Sequence, residues 1–421
     1  MSLRSRSRKF RATARTQELV NWRLQLGLAL NLIVFATVLN SVGIVVERSI
    51  SEWHIAKTVG GTLEGCKDLT IAATSLLLAS QVPRLGYRRV MMAGLLAVLV
   101  ACALLASVQQ FWTVPILFIL CGASFALVKV SVYATVGLFA TGTGQHASMM
   151  NRLEGIYQIG ALVAPVVFSR MIAAGNWINT YWFVAFLALV AFLLWTVTPL
   201  RPPEPETQDT GLTPAEPPPA PQSRGGLADV KMLITRPVVL VFLLCAAVYV
   251  MIEQSIGTWL PSFNKDVLGL EPERAALMLS LYFGSLAASR FIFGYLVRRI
   301  SAFSLQLLYL ACAFGLLATV LITTAHGPWP PGGYLLVLVG FFIGPIYPTL
   351  NSMMLSSLDK SLHSSMTGLI IVASALGGTI GSQILGAISQ HYTTHTAFHF
   401  PLLPISALAV LLILFHKLEK K

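Results

Sequence analysis

Charge is what this chain has least of. Asp, Glu, Lys and Arg together make up 11% of its 421 residues, against 55% hydrophobic residues and a mean hydropathy of +0.73. A soluble domain carries about 25% charged residues. A chain this poor in charge has too little polar surface to cover itself in water, so composition alone assigns it to a bilayer. Acidic residues are the scarcer sign, 17 against 29 basic ones, which leaves a net charge of +12. The positive charge sits at the ends of apolar segments, where it orients a membrane protein and meets anionic lipid. No groove-reading motif accompanies it, so membrane lipid is the expected partner and nucleic acid is not.

Other absences narrow the function. The five cysteines, Cys66, Cys102, Cys121, Cys245 and Cys312, lie within apolar segments and none has C-x-x-C spacing. Neither disulfides nor a zinc site is suggested. No G-x-x-x-x-G-K-[ST] loop occurs, so an ion gradient is the natural energy source for any transport. There is no nucleophile constellation, metal-ligand set or extramembrane domain to support an enzyme or sensor, and no cofactor is expected. The first 23 residues are basic and polar, and the apolar run after them has no A-x-A-like exit, so no cleavable signal is expected.

What is present is a series of apolar runs. A helical span needs about 20 predominantly apolar residues. Such runs occur near 24–46, 58–82, 89–108, 112–139, 151–174 and 179–200, then near 238–260, 274–298, 303–325, 332–357, 364–389 and 397–416. Spans 2 and 4 contain charges and are the weakest by hydropathy. The expected fold is an all-α membrane protein of twelve transmembrane helices in two six-helix halves. Between them, residues 201–236 carry eight prolines mixed with Glu, Asp, Gly and Ser, a composition that cannot form a packed core and reads as a tether. The expected plan is a basic tail over 1–23, a first half over 24–200, the linker, a second half over 237–416 and a short tail over 417–421.

Basic residues set the expected orientation. Arg4, Arg6, Arg8, Lys9, Arg11, Arg15 and Arg23 precede span 1. Arg84, Arg88 and Arg89 lie between spans 2 and 3, Arg298 and Arg299 between spans 8 and 9, and Lys417, Lys420 and Lys421 end the chain. With an even span count all of these share one side. The positive-inside rule then places both termini in the cytoplasm and the protein in the cytoplasmic (inner) membrane.

The halves resemble each other weakly. Span 4 reads CGASFALVKVSVY from Cys121 and span 10 reads GFFIGPIYPTLNS from Gly340, which aligns Gly122 with Gly340 and Lys129 with Tyr347. Spans 5 and 11 are both rich in small residues, which let helix backbones approach closely in lipid. Paired glycine-rich spans at matching places are expected of a transporter built from repeats.

The loop after span 2, Ala79-Ser-Gln-Val-Pro83-Arg84-Leu-Gly86-Tyr-Arg88-Arg89, resembles the major facilitator signature G-x-x-x-D-R-x-G-x-R-R. Its Arg84, Gly86, Arg88 and Arg89 are intact, while Ala79 and Pro83 replace the usual Gly and Asp. Span 7, Tyr249-Val-Met-Ile-Glu253-Gln-Ser-Ile-Gly257-Thr-Trp-Leu260, is similar to the Y-V-G-x-E-V-S-I-G-S-F-L of the fucose/glucose–galactose proton symporters. Met150-Asn151 with Glu154, Tyr347-Pro348-Thr349 and Ser289-Arg290-Phe291-Ile292 resemble further stretches of that family. The resemblance implies the major facilitator fold and secondary transport with protons as coupling ion. Two departures limit what it carries over. Lys129 stands where those symporters have a proton-accepting glutamate in span 4. Asn40, Ser41 and Gly43 occupy the part of span 1 where they have an acid.

An ionisable side chain at bilayer depth costs at least a few kcal/mol, so its default reading is functional and paired. Glu64, Lys67 and Asp68 share one face of span 2 at i, i+3 and i+4. They form either an internally paired network or a relay and substrate contact lining a cavity. Lys129 is either neutralised by Glu154 or Asp68, or serves as a cavity cation. Glu253 lies within the most specific motif and reads as functional, whereas Arg290 reads as structural. Asn40 and Tyr347 complete the candidate binding or coupling residues. His391, His395 and His399 follow at i, i+4 and i+8, but the span end and Pro401 favour a loop over a metal site. The resulting expectation is a monomeric secondary carrier, not an enzyme. It moves a small polar metabolite (a sugar, sugar acid or organic acid) by alternating access. Proton-coupled efflux of drugs or a secreted metabolite is the rival.

Overall fold

The computed structural model describes residues 22–78, 81–139, 143–198, 200, 227–296, 302–325, 332–356, 358 and 362–419. Among them every regular element is helical. Twelve long helices follow in order: α1 Trp22–Trp53, α2 Lys57–Leu78, α3 Tyr87–Val108, α4 Thr113–Phe139, α5 Thr143–Ala173 and α6 Asn179–Val197; then α7 Pro237–Asp266, α8 Pro272–Leu296, α9 Ala302–Ala325, α10 in two pieces (Gly332–Ile343 and Ile346–Ser356), α11 His363–His391 and α12 Leu402–Glu419. Nine helices among the described residues are long and apolar enough to cross a membrane. Helix α2 is not one of the nine; its mid-length charges lower its hydropathy, as expected for span 2, whereas α4, expected to be weak as well, is among them because its single Lys129 is outweighed by apolar neighbours. The expected tether at 201–236 lies outside the described residues except for its last ten.

The packing repeats across the two halves. In the first, α2 packs on α4 and α3 packs on α6; in the second, α8 packs on α10 and α9 on α12. Gly122 on α4 lies against the backbone of α2, where an added Cβ would come within 2.6 Å of the Lys67 carbonyl. Gly340 on α10 lies against the backbone of α8, where an added Cβ would come within 2.6 Å of the Tyr282 carbonyl. The two glycines aligned by sequence therefore make equivalent contacts. In lipid there is little hydrophobic drive between helices, so close backbone approach through small residues supplies the attraction.

Two of the helices are broken. At Asn40–Ser41 the α1 ladder is interrupted by a tighter turn, in which the Ser41 N–H donates to Val38 O, and the side chains add to the backbone bonds there: Asn40 Nδ2 donates to Ala36 O at 2.8 Å and Ser41 Oγ to Val38 O at 2.8 Å. In α10 the break is at Gly344–Pro345, since proline has no N–H to continue the ladder. Arg290 Nε donates to the Gly344 carbonyl there, at 3.4 Å. Broken backbone at membrane depth is tolerated where protein or a wet cavity supplies partners. The intact end of the loop signature has a structural role. Gly86 takes φ +87°, a region other residues adopt at a cost, and so separates the turn Val82–Leu85 from α3. Arg88 then donates to the carbonyls of Trp195 and Thr196 at 2.8 and 2.7 Å, tying the start of α3 to the end of α6.

The halves meet along three helix pairs, α2 with α11, α5 with α8 and α1 with α7. Glycine sets how close they come. A Cβ on Gly61 of α2 would lie 2.9 Å from the Ser382 carbonyl of α11, and one on Gly43 of α1 would lie 2.8 Å from the Thr258 carbonyl of α7. At the face opposite the termini, ion pairs join the halves. Lys57 Nζ lies 2.8 Å from Asp266 Oδ2, with Thr394 bridging the two, and Lys265 Nζ lies 2.7 Å from the buried Glu47. The Lys57 backbone N–H donates to Gln390 Oε1 at 2.6 Å. The halves are thus closed against each other at that face.

Candidate functional site

A cavity of about 220 Å³ lies between the halves. From the first half it is lined by Asn40 at the α1 break, by Glu64, Lys67 and Asp68 of α2, and by Phe125 and Tyr157. From the second half come Glu253, Gln254, Thr258, Tyr282 and Phe283. Five of the residues expected from sequence are therefore brought together: Asn40, Glu64, Lys67, Asp68 and Glu253. Their placement follows from α2 and α7 facing each other. Positions 64, 67 and 68 share one face of α2, and 254 and 258 share one face of α7 by the same four-residue spacing.

The α2 charges are buried, with Glu64 3%, Lys67 7% and Asp68 7% exposed, so their mutual contacts decide whether the site is tolerable in lipid. Lys67 Nζ lies 2.5 Å from Glu64 and 3.5 Å from Asp68. Glu64 also accepts from Thr258 Oγ1 of α7 at 2.5 Å, which joins the two halves across the cavity. One ammonium thus serves two carboxylates, and the cluster carries an excess negative charge when both are ionised. Glu253 pairs with Arg290 at 3.7 Å. Asn40 Nδ2 reaches the Tyr157 hydroxyl at 3.4 Å.

Lys129, Tyr347 and Arg290 are not among the cavity-lining residues. Tyr347 stacks on Tyr249, centroids 5.0 Å apart, and its hydroxyl meets Ser374 at 3.1 Å. Arg290 spans the α10 break and Glu253, in keeping with a structural role. The Lys129 ammonium lies 5.6 Å from the ring centroid of Phe125 and 5.4 Å from that of Tyr133. Among the described residues no carboxylate pairs with it, and Asp68 pairs with Lys67 instead. The side chain of Glu154 lies outside the described residues. Lys129→Gln is expected to fold with a stability loss of about 0.5–2 kcal/mol, the size of lost cation–π contacts. A melting-temperature loss equivalent to ~3–5 kcal/mol, restored by adding Glu154→Gln, would instead mean an ion pair with Glu154.

Sequence reasoning missed Gln254, Thr258, Tyr157, Phe125 and Tyr282 as cavity residues. Gln254 and Thr258 carried a signal, a polar pair at i and i+4 beside Glu253. The aromatics carried none, because an aromatic within an apolar span reads as packing. Of the three histidines, His391 ends α11, and the rings of His395 and His399 pack edge to face, centroids 5.4 Å apart. Among the described residues no three His, Cys, Asp or Glu side chains are grouped to hold a metal.

This arrangement of two helical halves around a polar cavity has known counterparts. The chain is 25% identical over 348 residues to a glucose/galactose transporter of Brucella abortus biovar 1 (strain 9-941), covering 78% of each chain. Its fold matches the nucleoside transporter NupG with a TM-score of 0.71 at 15% identity, covering 94% of this chain and 99% of that one. It matches the E. coli fucose:proton symporter FucP with a TM-score of 0.59 at 16% identity, covering 92% and 97%. The family model of the Major Facilitator Superfamily matches residues 26–382. The resemblance read from the loop signature and span 7 is borne out: the chain belongs to the Major Facilitator Superfamily and is a membrane transporter of the secondary-carrier kind, not an enzyme.

Proposed function

We propose that this chain is a proton-coupled carrier of a small neutral polyhydroxylated metabolite, a sugar or a close relative of one, working by alternating access in the cytoplasmic membrane. The observation that carries the reading is the composition of the cavity. Three carboxylates, one ammonium, an asparagine, a glutamine and several aromatic rings line it from both halves. Carboxylates and amide oxygens accept from hydroxyl groups, and aromatic faces cover the apolar side of a sugar ring. A negative lining disfavours sugar acids and organic acids. The volume of about 220 Å³ falls below the roughly 300–1,000 Å³ of pockets that hold drug-sized ligands, which disfavours drug efflux. The glucose/galactose, nucleoside and fucose carriers named above share this ligand chemistry in their names. Each chain has its own cavity, so a monomer suffices.

The ligand class is tested by a thermal-shift screen of purified protein against sugars, nucleosides, sugar acids, organic acids and common drugs. A ligand at a hundred times its Kd stabilises by about 2.7 kcal/mol. Neutral polyhydroxylated compounds should stabilise and anionic ones should not. A sugar acid or a drug as the best stabiliser would contradict the reading.

The proposed orientation, with both termini and the 201–236 tether in the cytoplasm, follows from the basic asymmetry. Reporter fusions at Gln208 and at Lys421 should both give a cytoplasmic signal. A periplasmic signal at either position overturns it, and with it the assignment of the ion-paired face to the outside.

A further inference from the structure

We infer that Asp68 of α2 is the residue that takes up and releases the coupling proton, with the Gln254 amide of α7 as its partner across the halves. The inference deepens the proposed function and rests on its proton coupling. It starts from two orphaned acceptors. Asp68 Oδ2 and Gln254 Oε1 are both buried without a hydrogen-bond partner. They come from different halves and converge on one point. A Cβ built on Gly378 of α11 would lie 2.9 Å from the first and 2.6 Å from the second. The Gln254 amide lies within hydrogen-bonding reach of the Asp68 carboxyl. An amide offers an N–H to a carboxylate or its oxygen to a protonated acid, so Gln254 can meet Asp68 in either protonation state.

The charge count points the same way. Lys67 faces both Glu64 and Asp68, so the cluster is one charge negative until a proton arrives. Glu64 is already held by the Lys67 ammonium and the Thr258 hydroxyl, which leaves Asp68 with the free oxygen. The other charged or titratable groups around the cluster are accounted for. Glu253 is paired with Arg290 on α7 and α8, Lys129 on α4 lies over Phe125 and Tyr133, and Tyr157 on α5 meets Asn40. Tyr249 on α7 and Tyr282 on α8 are fully buried. The α11 face against α2 presents Gly378 and Thr379 and no described charge.

The position of the pair couples this chemistry to conformation. Closing the halves at the ion-paired face buries Asp68 against α7 and α11. Parting them exposes the carboxylate to water at that face. There Asp68 takes a proton from hydronium: one O–H bond of the hydronium breaks, one O–H bond to the carboxylate forms, and a water molecule is left. Closure then buries a neutral cluster with its bridge to Gln254 made. Asp68 also lines the cavity, so water entering from the opposite face removes the proton and restores the carboxylate.

The test compares wild-type, Asp68→Asn and Gln254→Leu proteins in proteoliposomes, using the sugar that best stabilises the wild-type protein. Asp68→Asn should lower uptake driven by an inward proton gradient at least tenfold while exchange of labelled for unlabelled sugar without a gradient continues. Proton-driven accumulation by Asp68→Asn equal to wild type would overturn the assignment. If Asp68→Asn neither accumulates nor exchanges sugar, the pH dependence of sugar affinity decides: a flat profile supports the assignment and a wild-type profile overturns it. If it does not fold, Gln254→Leu decides. Its pH profile of uptake should move away from the wild-type profile, because Asp68 has lost its amide partner, and an unmoved pH profile overturns the assignment. Wild-type uptake insensitive to the proton gradient would instead remove the coupling reading on which the inference rests, a result distinct from the others.

Discussion

Gly61→Val is expected to hold the two halves apart at the ion-paired face and to slow net transport while leaving each half folded. The Cβ it adds would lie 2.9 Å from the Ser382 carbonyl and 3.1 Å from the Gln383 Cα, both backbone atoms that cannot rotate away. Overpacking a close contact costs about 1–3 kcal/mol. Here the cost falls on one conformation, because the clash disappears once α2 and α11 part. At 1.4 kcal/mol per factor of ten, the equilibrium moves about 5- to 150-fold toward the parted state. Electron-spin distance measurements between labels at His54 and Thr393, exposed at that face in the two halves, should show the longer distance becoming dominant. The melting transition of the helices should stay within a few degrees of wild type. An unchanged distance distribution together with wild-type transport would mean that this seam does not move in the cycle.

Replacing Lys67 by methionine has the other large expected effect, and it acts on the folded state as a whole. The ammonium lies 2.5 Å from Glu64 and 3.5 Å from Asp68, and all three groups are buried. Removing it leaves two carboxylates facing each other in a low dielectric, and breaking a buried pair in this way costs ~3–5 kcal/mol. Lys67→Met should therefore express poorly or melt well below wild type. The triple change Glu64→Gln, Lys67→Met, Asp68→Asn removes every charge and keeps the shapes, so stability should return to near or above the wild-type value. Proton-driven accumulation should not return with it, since no group of the cluster remains to exchange a proton. Melting temperatures in detergent separate the two proteins. Equal stability of Lys67→Met and wild type would mean that the cluster is solvated, and that the cavity is wetter than its burial indicates.

The contrast between these predictions shows which parts of the molecule were legible in the sequence. Span number and the place of the polar cluster were readable because they depend on local properties. Apolar run length dictates a helix in lipid, and the spacing of 64, 67 and 68 dictates a shared face whatever surrounds it. The weak alignment of Gly122 with Gly340 was readable for the same reason, and the two glycines do make equivalent backbone contacts on α2 and α8. What was not readable depends on the register between α2 and α7. Those helices run antiparallel, and their side chains meet at successive levels: Lys57 with Asp266, Glu64 with Thr258, Asp68 beside Gln254. No local pattern encodes which residue of α7 faces which residue of α2, so nothing in the sequence marks Lys57 and Lys265 as partners across the halves, and Thr258 reads only as part of a motif. Lys129 shows the reverse problem. Its ammonium lies over two rings of its own helix, four residues before and after it, a spacing plain in the sequence although an aromatic at that spacing also reads as packing.

The central claim is that a proton gradient drives a small polyhydroxylated ligand through the cavity between the halves. Uptake of a labelled monosaccharide or nucleoside, chosen as the best stabiliser of the purified protein, into proteoliposomes under an imposed inward proton gradient tests it most directly. The account predicts accumulation above the outside concentration, collapse to equilibrium on adding a protonophore, and alkalinisation of the medium when sugar is added without a gradient. Accumulation that persists in the protonophore, or ligand movement that only equilibrates across the membrane whatever the pH difference, would contradict it.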